Sequence, residues 1–468
     1  MSEASQLSAP QSRRAAAARS LTAGPILPPL LRLAAPNLLV TTVYALVSGV
    51  DAYYIGKLGA EALAGISLVF PMVMLMQTMS VGAMGGGIAS AIARAAGAGD
   101  RERADALAMH ALLIGAGVGL LFTLGMLLGA GALFRLMGGY GESVQTALAY
   151  SDIFFGWAVL LWIFQSLAAI LRGLGNMTLP AAVLVGGELF YVALAPALIF
   201  GIGPIPALGV RGAALLVVLL YVVRILVLLR HFLSAQSRIR LRLRGLRIRA
   251  ALFWEILRVG IPSSVSTLLT NLNILIVTTF AGLFGAYSLA GYGVGARLEY
   301  MLAPIVFGLG SALVTMVGTN IGAGQKERAL RVAWTGAGLA AFLTGMVGLA
   351  CAAFPETYMR LFTSNAEVIA VGASYLRTVG PVYLFYGLGI SLFFASQGAG
   401  KPRWPLVASV VRFAITAGVG YLAVHWLDRG VEGLFLVVAV AFVVFGSIVA
   451  IAVKAGAWEA RNVSIQRQ

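Results

Sequence analysis

Long stretches of this chain carry apolar residues without interruption and without a period-two alternation. Segments 111–134, 332–354 and 433–453 contain no Asp, Glu, Lys or Arg, and each reaches the roughly 20 residues that a helix needs to cross hydrocarbon. A helix satisfies its own backbone hydrogen bonds in lipid. A transmembrane β-barrel would instead alternate apolar and polar residues over segments of about ten residues. The pattern predicts an all-α membrane protein with about twelve spans, at 28–55, 62–92, 107–134, 148–171, 180–201, 209–229, 254–284, 288–318, 331–354, 372–397, 405–427 and 431–454.

Composition agrees: 11% of the residues are charged and 60% are hydrophobic, with a mean hydropathy of +0.93, whereas soluble domains carry about 25% charged residues. The net charge of +16 raises nucleic-acid binding as an alternative, and the placement of the cations excludes it. They fall in alternate loops: Arg13, Arg14, Arg19 and Arg32; Arg94, Arg101 and Arg103; Arg172; Arg230 to Arg258; Lys326, Arg328 and Arg331; Lys401 and Arg403; Lys454, Arg461 and Arg467. The opposite loops hold mainly Lys57, Arg135, Arg211, Arg360 and Arg429. The positive-inside rule therefore predicts a multi-pass membrane protein with both termini in the cytoplasm. The segment before Gly24 has arginines but no apolar stretch of signal-peptide type and reads as a cytosolic tail. The single cysteine, Cys351, lies in an apolar run, where it reads as packing and allows no intramolecular disulfide.

The two halves of the chain repeat. Pro36 recurs as Pro262 (262 − 36 = 226), and Ala62-Leu63-Ala64-Gly65 as Ser288-Leu289-Ala290-Gly291. The offset then becomes 225 (398 − 173 = 225): Gly97-Ala98-Gly99 matches Gly322-Ala323-Gly324, Tyr150 matches Tyr375, Gly173 and Gly175 match Gly398 and Gly400, and Pro180 matches Pro405. With six spans per repeat, an even number, both repeats enter the membrane from the same side and are parallel. The expected organisation is a tail at 1–24, an N-lobe at 25–230, a basic linker at 231–253, a C-lobe at 254–456 and a second tail at 457–468. In the linker, Arg238, Arg240, Arg242 and Arg244 alternate with Ile239, Leu241 and Leu243, a pattern that suits either an orienting connector or a strip lying on anionic headgroups.

Several motifs resemble the multidrug and toxic compound extrusion (MATE) family of cation-coupled exporters. They are Val50-Asp51-Ala52-Tyr53-Tyr54-Ile55-Gly56-Lys57-Leu58-Gly59 followed by Ala62-Leu63-Ala64-Gly65, the two Gly-Ala-Gly loops, Leu171-Arg172-Gly173-Leu174-Gly175-Asn176, Leu198-Ile199-Phe200-Gly201 and Arg297-Leu298-Glu299. The resemblance implies two six-helix lobes arranged as a V around a cavity that opens alternately to either side, while protons or sodium ions exchange for substrate. Two departures bear on coupling. The acid that several members carry in the fifth span is Ala195 here, and the positions of a sodium site in the seventh and tenth spans are Leu268 and Tyr386.

The charges assigned to the membrane interior are Asp51, Glu188, Arg297, Glu299 and Arg412, and an ionised group in hydrocarbon marks a functional candidate. The repeat reproduces none of the acids or Arg412. Asp51 matches the family's membrane acid and is expected to alternate between protonated and ionised forms; the competing role is a buried hydrogen-bond acceptor. Glu188 lies seven residues before Ala195, about two turns, and so faces the same cavity. It is expected either to relocate the missing ion site or to pair with Arg412. Glu299, Arg297, Arg412, Asn37, Tyr53, Gln77, Asn271, Asn273 and Tyr386 are candidates for the substrate cavity, though polar residues in such helices more often join helix to helix. Methionines such as Met72, Met74 and Met76 suit an adaptable pocket.

The expected function is export of amphipathic, often cationic, organic compounds by a monomeric, proton-coupled antiporter in the lipid bilayer, with no cofactor other than the coupling ion and no nucleic-acid partner. The alternatives are sodium coupling and a flippase for a lipid-linked substrate. A flippase would want a strongly cationic cavity for diphosphate, and only Arg297 and Arg412 are assigned to the spans. A membrane enzyme would need clustered His, Asp or Cys residues, whereas His110, His231 and His425 are scattered. A channel would arrange its pore by oligomeric symmetry, which internal duplication makes unnecessary.

Overall fold

A computed structural model describes residues 21–204, 206–234, 237–241, 247–425 and 430–459. The apolar segments become α1 (Leu27–Gly56), α2 (Ala60–Gly97), α3 (Arg101–Leu136), the two-part α4 (Gly141–Gly156 and Ala158–Gly173), α5 (Thr178–Phe200), α6 (Val210–Leu233), α7 (Ala250–Leu283), α8 (Ala286–Gly322), α9 (Lys326–Ala353), α10 (Ala366–Gly398), α11 (Arg403–Val424) and α12 (Gly430–Lys454). The positions of α3 that face away from the protein are apolar, with Leu128 87% exposed, so hydrocarbon is the solvent they require.

The element α4 departs from expectation. In place of one helix over 148–171, Gly141–Gly156 and Ala158–Gly173 meet at 47°, with Trp157 at φ −112 and ψ 23 between them. A glycine at the junction weakens the helix there, while the unbroken apolar pattern gives no sign of it. The prolines are milder: Pro36, Pro71, Pro196, Pro262 and Pro304 all lie inside continuous helices. Short π-helical stretches interrupt α2 at Met79–Met84 and α11 at Ile415–Val419.

Each half forms a lobe with its own core, yet each lends the first turns of its first helix to the other. Leu30, Leu33 and Ala34 of α1 pack into the second-half core, and Leu252 and Ile256 of α7 into the first-half core. Leu30 and Ile256 are equivalent at the 226 offset, so the exchange is reciprocal. The same symmetry appears where α2 meets α8. A Cβ on Gly97 would lie 2.1 Å from the Thr319 carbonyl oxygen, and one on Gly322, its repeat partner, 2.0 Å from that of Arg94. Glycine at both places lets the backbones touch across the pseudo-twofold axis.

These contacts sit at the end of the bundle that carries Arg94, Arg103, Arg172 and Lys326, here called the basic end. Further contacts between the lobes, Gly87 on Gly260, Gly308 on Leu38 and Ala34, and the Gln397 amide donating to the Gly82 carbonyl at 3.1 Å, lie in the same half of the bundle. The cleft is thus closed at the basic end. An ionic latch reinforces the closure: Glu255 of α7 lies 2.8 Å from Arg103 and 3.6 Å from Arg94. Arg94 also donates to Ser90 Oγ at 2.8 Å and, across the lobes, to the Gly398 carbonyl at 3.2 Å. Removing one partner of a buried pair leaves the other charge uncompensated. Glu255→Gln should therefore favour opening at this end. With a cysteine placed at the buried position Ser263, thiol labelling should quicken by about tenfold or more, the factor that 1.4 kcal/mol gives; an unchanged rate would show that the latch contributes little.

The described part of the linker is anchored to the first lobe. Ile239 is buried, the Arg240 backbone N–H donates to Asp105 at 2.9 Å, and the Arg249 N–H reaches His110 Nε2 at 3.0 Å. His110 Nδ1 lies 2.7 Å from the Ala106 carbonyl. One neutral tautomer, protonated on Nδ1, satisfies both contacts. Arg242 and Arg244 lie outside the described residues.

Candidate functional site

In the first lobe, α1 and α5 bring Asp51 and Tyr191 together, and the Tyr191 hydroxyl donates a short hydrogen bond to the Asp51 carboxylate. Asp51 is five residues from the end of its helix, away from the basic end, a depth of about 8 Å at 1.5 Å per residue. Beside it, Tyr54 donates to the Val192 carbonyl at 3.3 Å, and the Gln77 amide donates to the Tyr44 hydroxyl at 2.7 Å. Asp51 has no cation within ion-pair distance among the described residues.

Glu188 is different. It pairs with Arg224 of α6 at 2.8 Å, and the two side chains are 15% and 5% exposed. The expected alternative, a pair with Arg412, is not formed: Arg412 lies in the other lobe and Arg224 is nearer. Arg224 also corrects the assignment of intramembrane arginines to Arg297 and Arg412 alone. It sits 14 residues into α6, inside the span expected at 209–229, yet it stands neither among the expected intramembrane charges nor in the basic group that begins at Arg230. Its signal was its position in an otherwise apolar run. A Cβ on Gly187 would lie 2.2 Å from Arg224 Nε, so the glycine before Glu188 makes room for the guanidinium.

In the second lobe, α8 carries Glu299 toward α10, where its Oε1 accepts from the Tyr375 hydroxyl at 2.5 Å and the Tyr383 hydroxyl at 3.5 Å. Glu299, Arg412 and Asn273 line one small cavity with Tyr292 and Thr416. Tyr386 joins this cluster through Phe442, its ring 5.5 Å away, and Arg412 stacks on the same Phe442 at 4.3 Å.

The remaining candidates stand apart. Arg297 is exposed and lies over Phe362 at 5.4 Å, away from Glu299, because residues two apart on a helix face different directions. Tyr53 is 59% exposed beneath Lys57. Asn37 and Asn271 donate to carbonyls of their own helices, Leu33 at 3.4 Å and Thr267 at 2.9 Å. The tyrosines that hold the acids, Tyr191, Tyr375 and Tyr383, were not singled out as site residues, although Tyr375 was visible as the repeat partner of Tyr150.

The comparisons agree with this architecture. The family model described as MatE matches residues 36–197 and again 262–422. The chain belongs to the MatE family. The two matches fall one on each lobe, as a parallel duplication requires. This MatE protein is 27% identical over 425 residues to the "Probable multidrug resistance protein YoeA" of Bacillus subtilis, covering 87% of the chain and 89% of that relative. It is 26% identical to the "FAD transporter" of Shewanella oneidensis, covering 91% and 94%. A solved structure described as the outward-facing conformation of a multidrug resistance MATE family transporter superposes with a TM-score of 0.83 at 26% identity, covering 93% of this chain and 98% of that one. The MatE protein is thus a multi-pass membrane protein with the two-lobe fold of these transporters.

Proposed function

We propose that this protein is a proton-coupled antiporter of the plasma membrane that exports amphipathic organic compounds by alternating access, with Asp51 as the coupling acid. The carrying observation is the contrast between the two first-lobe acids. Glu188 has a guanidinium beside it, whereas Asp51 has a neutral tyrosine hydroxyl. An acid beside a fixed cation has its charge compensated by the protein itself, whereas an acid held only by a neutral donor leaves that compensation to a mobile proton or ion. Glu188 stands about one turn before Tyr191 on α5 and so shapes the electrostatic field at Asp51, while Arg224 balances it.

The positive-inside rule places the basic end in the cytoplasm, so the described state is one closed to the cytoplasm. The family relationship and the multidrug resistance name of one relative support organic substrates. The name "FAD transporter" of another widens the class beyond cations. The flippase alternative is weaker, because the added arginine, Arg224, is buried against Glu188 and offers the cleft no free positive charge.

Inverted vesicles decide the coupling: substrate uptake should follow an imposed proton gradient and persist when only the sodium gradient is collapsed. Uptake that follows sodium instead overturns the assignment. The orientation has its own check. Cysteines substituted for Ser237 or Leu241 in the linker should resist an impermeant thiol reagent on intact cells, and rapid labelling there would reverse the map.

A further inference from the structure

The second-lobe cavity has a volume of about 20 Å³, enough for one water molecule and far too little for an organic substrate. Its walls are more polar than such a small space needs. Asn273 is 3% exposed, its amide nitrogen donates to the Leu269 carbonyl at 2.9 Å, and its Oδ1 has no hydrogen-bond partner. Thr416 gives its hydroxyl proton to the Arg412 carbonyl at 2.9 Å, which leaves its oxygen lone pairs free to accept. Glu299 adds a carboxylate. Three such oxygens are the ligand type that hard monovalent and divalent cations select.

The cavity wall already contains a cation. The Arg412 guanidinium is 8% exposed and stacked on Phe442. It forms no ion pair within 4.0 Å among the described residues, yet it faces the same small cavity as Glu299. The first lobe shows the same device built another way. Arg412 is the repeat equivalent of Gly187, and the space a side chain at Gly187 would occupy is filled by the Arg224 guanidinium. Each lobe thus places a guanidinium at the same point of the repeat, from the fifth helix of the second repeat and from the sixth helix of the first.

We propose that Arg412 is a tethered cation: it supplies the positive charge that Glu299 and the free Asn273 oxygen would otherwise take from solution, so the second-lobe pocket holds water and excludes sodium. Removing Arg412 converts the pocket into a sodium site, since Glu299 is left with neutral tyrosine hydroxyls and no cation. The inference deepens the coupling reading above, because it leaves the second lobe no mobile coupling ion.

Thermal unfolding of the purified full chain in detergent, in sodium and in potassium salt of equal ionic strength, tests it without any transport step. A failure here therefore leaves Asp51 untouched, and the reverse. The wild type should unfold at the same temperature in both salts. Arg412→Gln should unfold about 2 °C or more higher in sodium, as ligand linkage requires, and the double variant Glu299→Gln with Arg412→Gln should lose that difference. A folded Arg412→Gln with no sodium preference overturns the proposal. Should that variant not fold, the wild type still decides: a sodium-specific rise abolished by Glu299→Gln overturns the proposal, and equal midpoints uphold it.

Discussion

Asp51→Asn should reduce gradient-driven export to the uncoupled background while the protein remains folded and inserted. An amide accepts the hydrogen bond of the Tyr191 hydroxyl as a carboxylate does, so the contact between α1 and α5 persists. The cost in stability should stay within about 1–2 kcal/mol, the scale of one altered hydrogen bond. The exchangeable proton, by contrast, is lost completely. Substrate binding to the purified variant should survive, because the Asp51 contact is to a tyrosine and the rest of the lobe is unaltered. The measurement is substrate uptake by inverted vesicles across a range of pH, with thermal unfolding as the control. Wild-type rates with an unchanged pH profile would make Asp51 a structural acceptor.

Arg224→Gln should destabilise the protein by about 3–5 kcal/mol, since it strands Glu188 in the lobe interior without its cation. Glu188→Gln should also destabilise, by stranding Arg224, whose side chain is only 5% exposed. The double variant should recover most of the loss, and that recovery is the signature of a direct pair in a double-mutant cycle. Combining Glu188→Gln with Arg412→Gln should instead give additive effects, because those residues belong to different lobes and share no contact. The cycle, read from denaturation midpoints, separates the two pairings. Additivity for Glu188 with Arg224 would return Glu188 to the status of a free acid and restore it as a coupling candidate.

The membrane class, the twelve spans, the parallel duplication and the two-lobe fold were legible along the chain because each depends on local or periodic information. An uncharged run of 20 residues, a proline recurring at a fixed offset and a bias of arginines between alternate loops need no knowledge of which helices touch. Asp51 stood out as a candidate for a related reason: a carboxylate in an apolar run has few uses. Pairing was not legible. Glu188 and Arg224 are 36 residues apart on consecutive helices, and no spacing rule links side chains across two helices. The sequence offered Arg412 as the alternative to a coupling role for Glu188 because the repeat places it next to Glu188 in register, but equivalence under a pseudo-twofold axis separates residues into different lobes.

What the sequence by itself determined is thus the solvent, the number of spans and the symmetry. The free energy of exposing or burying a side chain in hydrocarbon acts residue by residue, and duplication copies residues in order. Only the tertiary structure decided what each acid meets: Glu188 a guanidinium of Arg224, Glu255 those of Arg94 and Arg103 across the lobes, and Glu299 two tyrosine hydroxyls with Arg412 lining the same cavity. It also decided that the cleft is closed at the basic end, where Gly97 and Gly322 meet the backbone of the opposite lobe. Those outcomes depend on distances of a few ångströms between helices far apart in the chain, and electrostatic and packing energies change over that range.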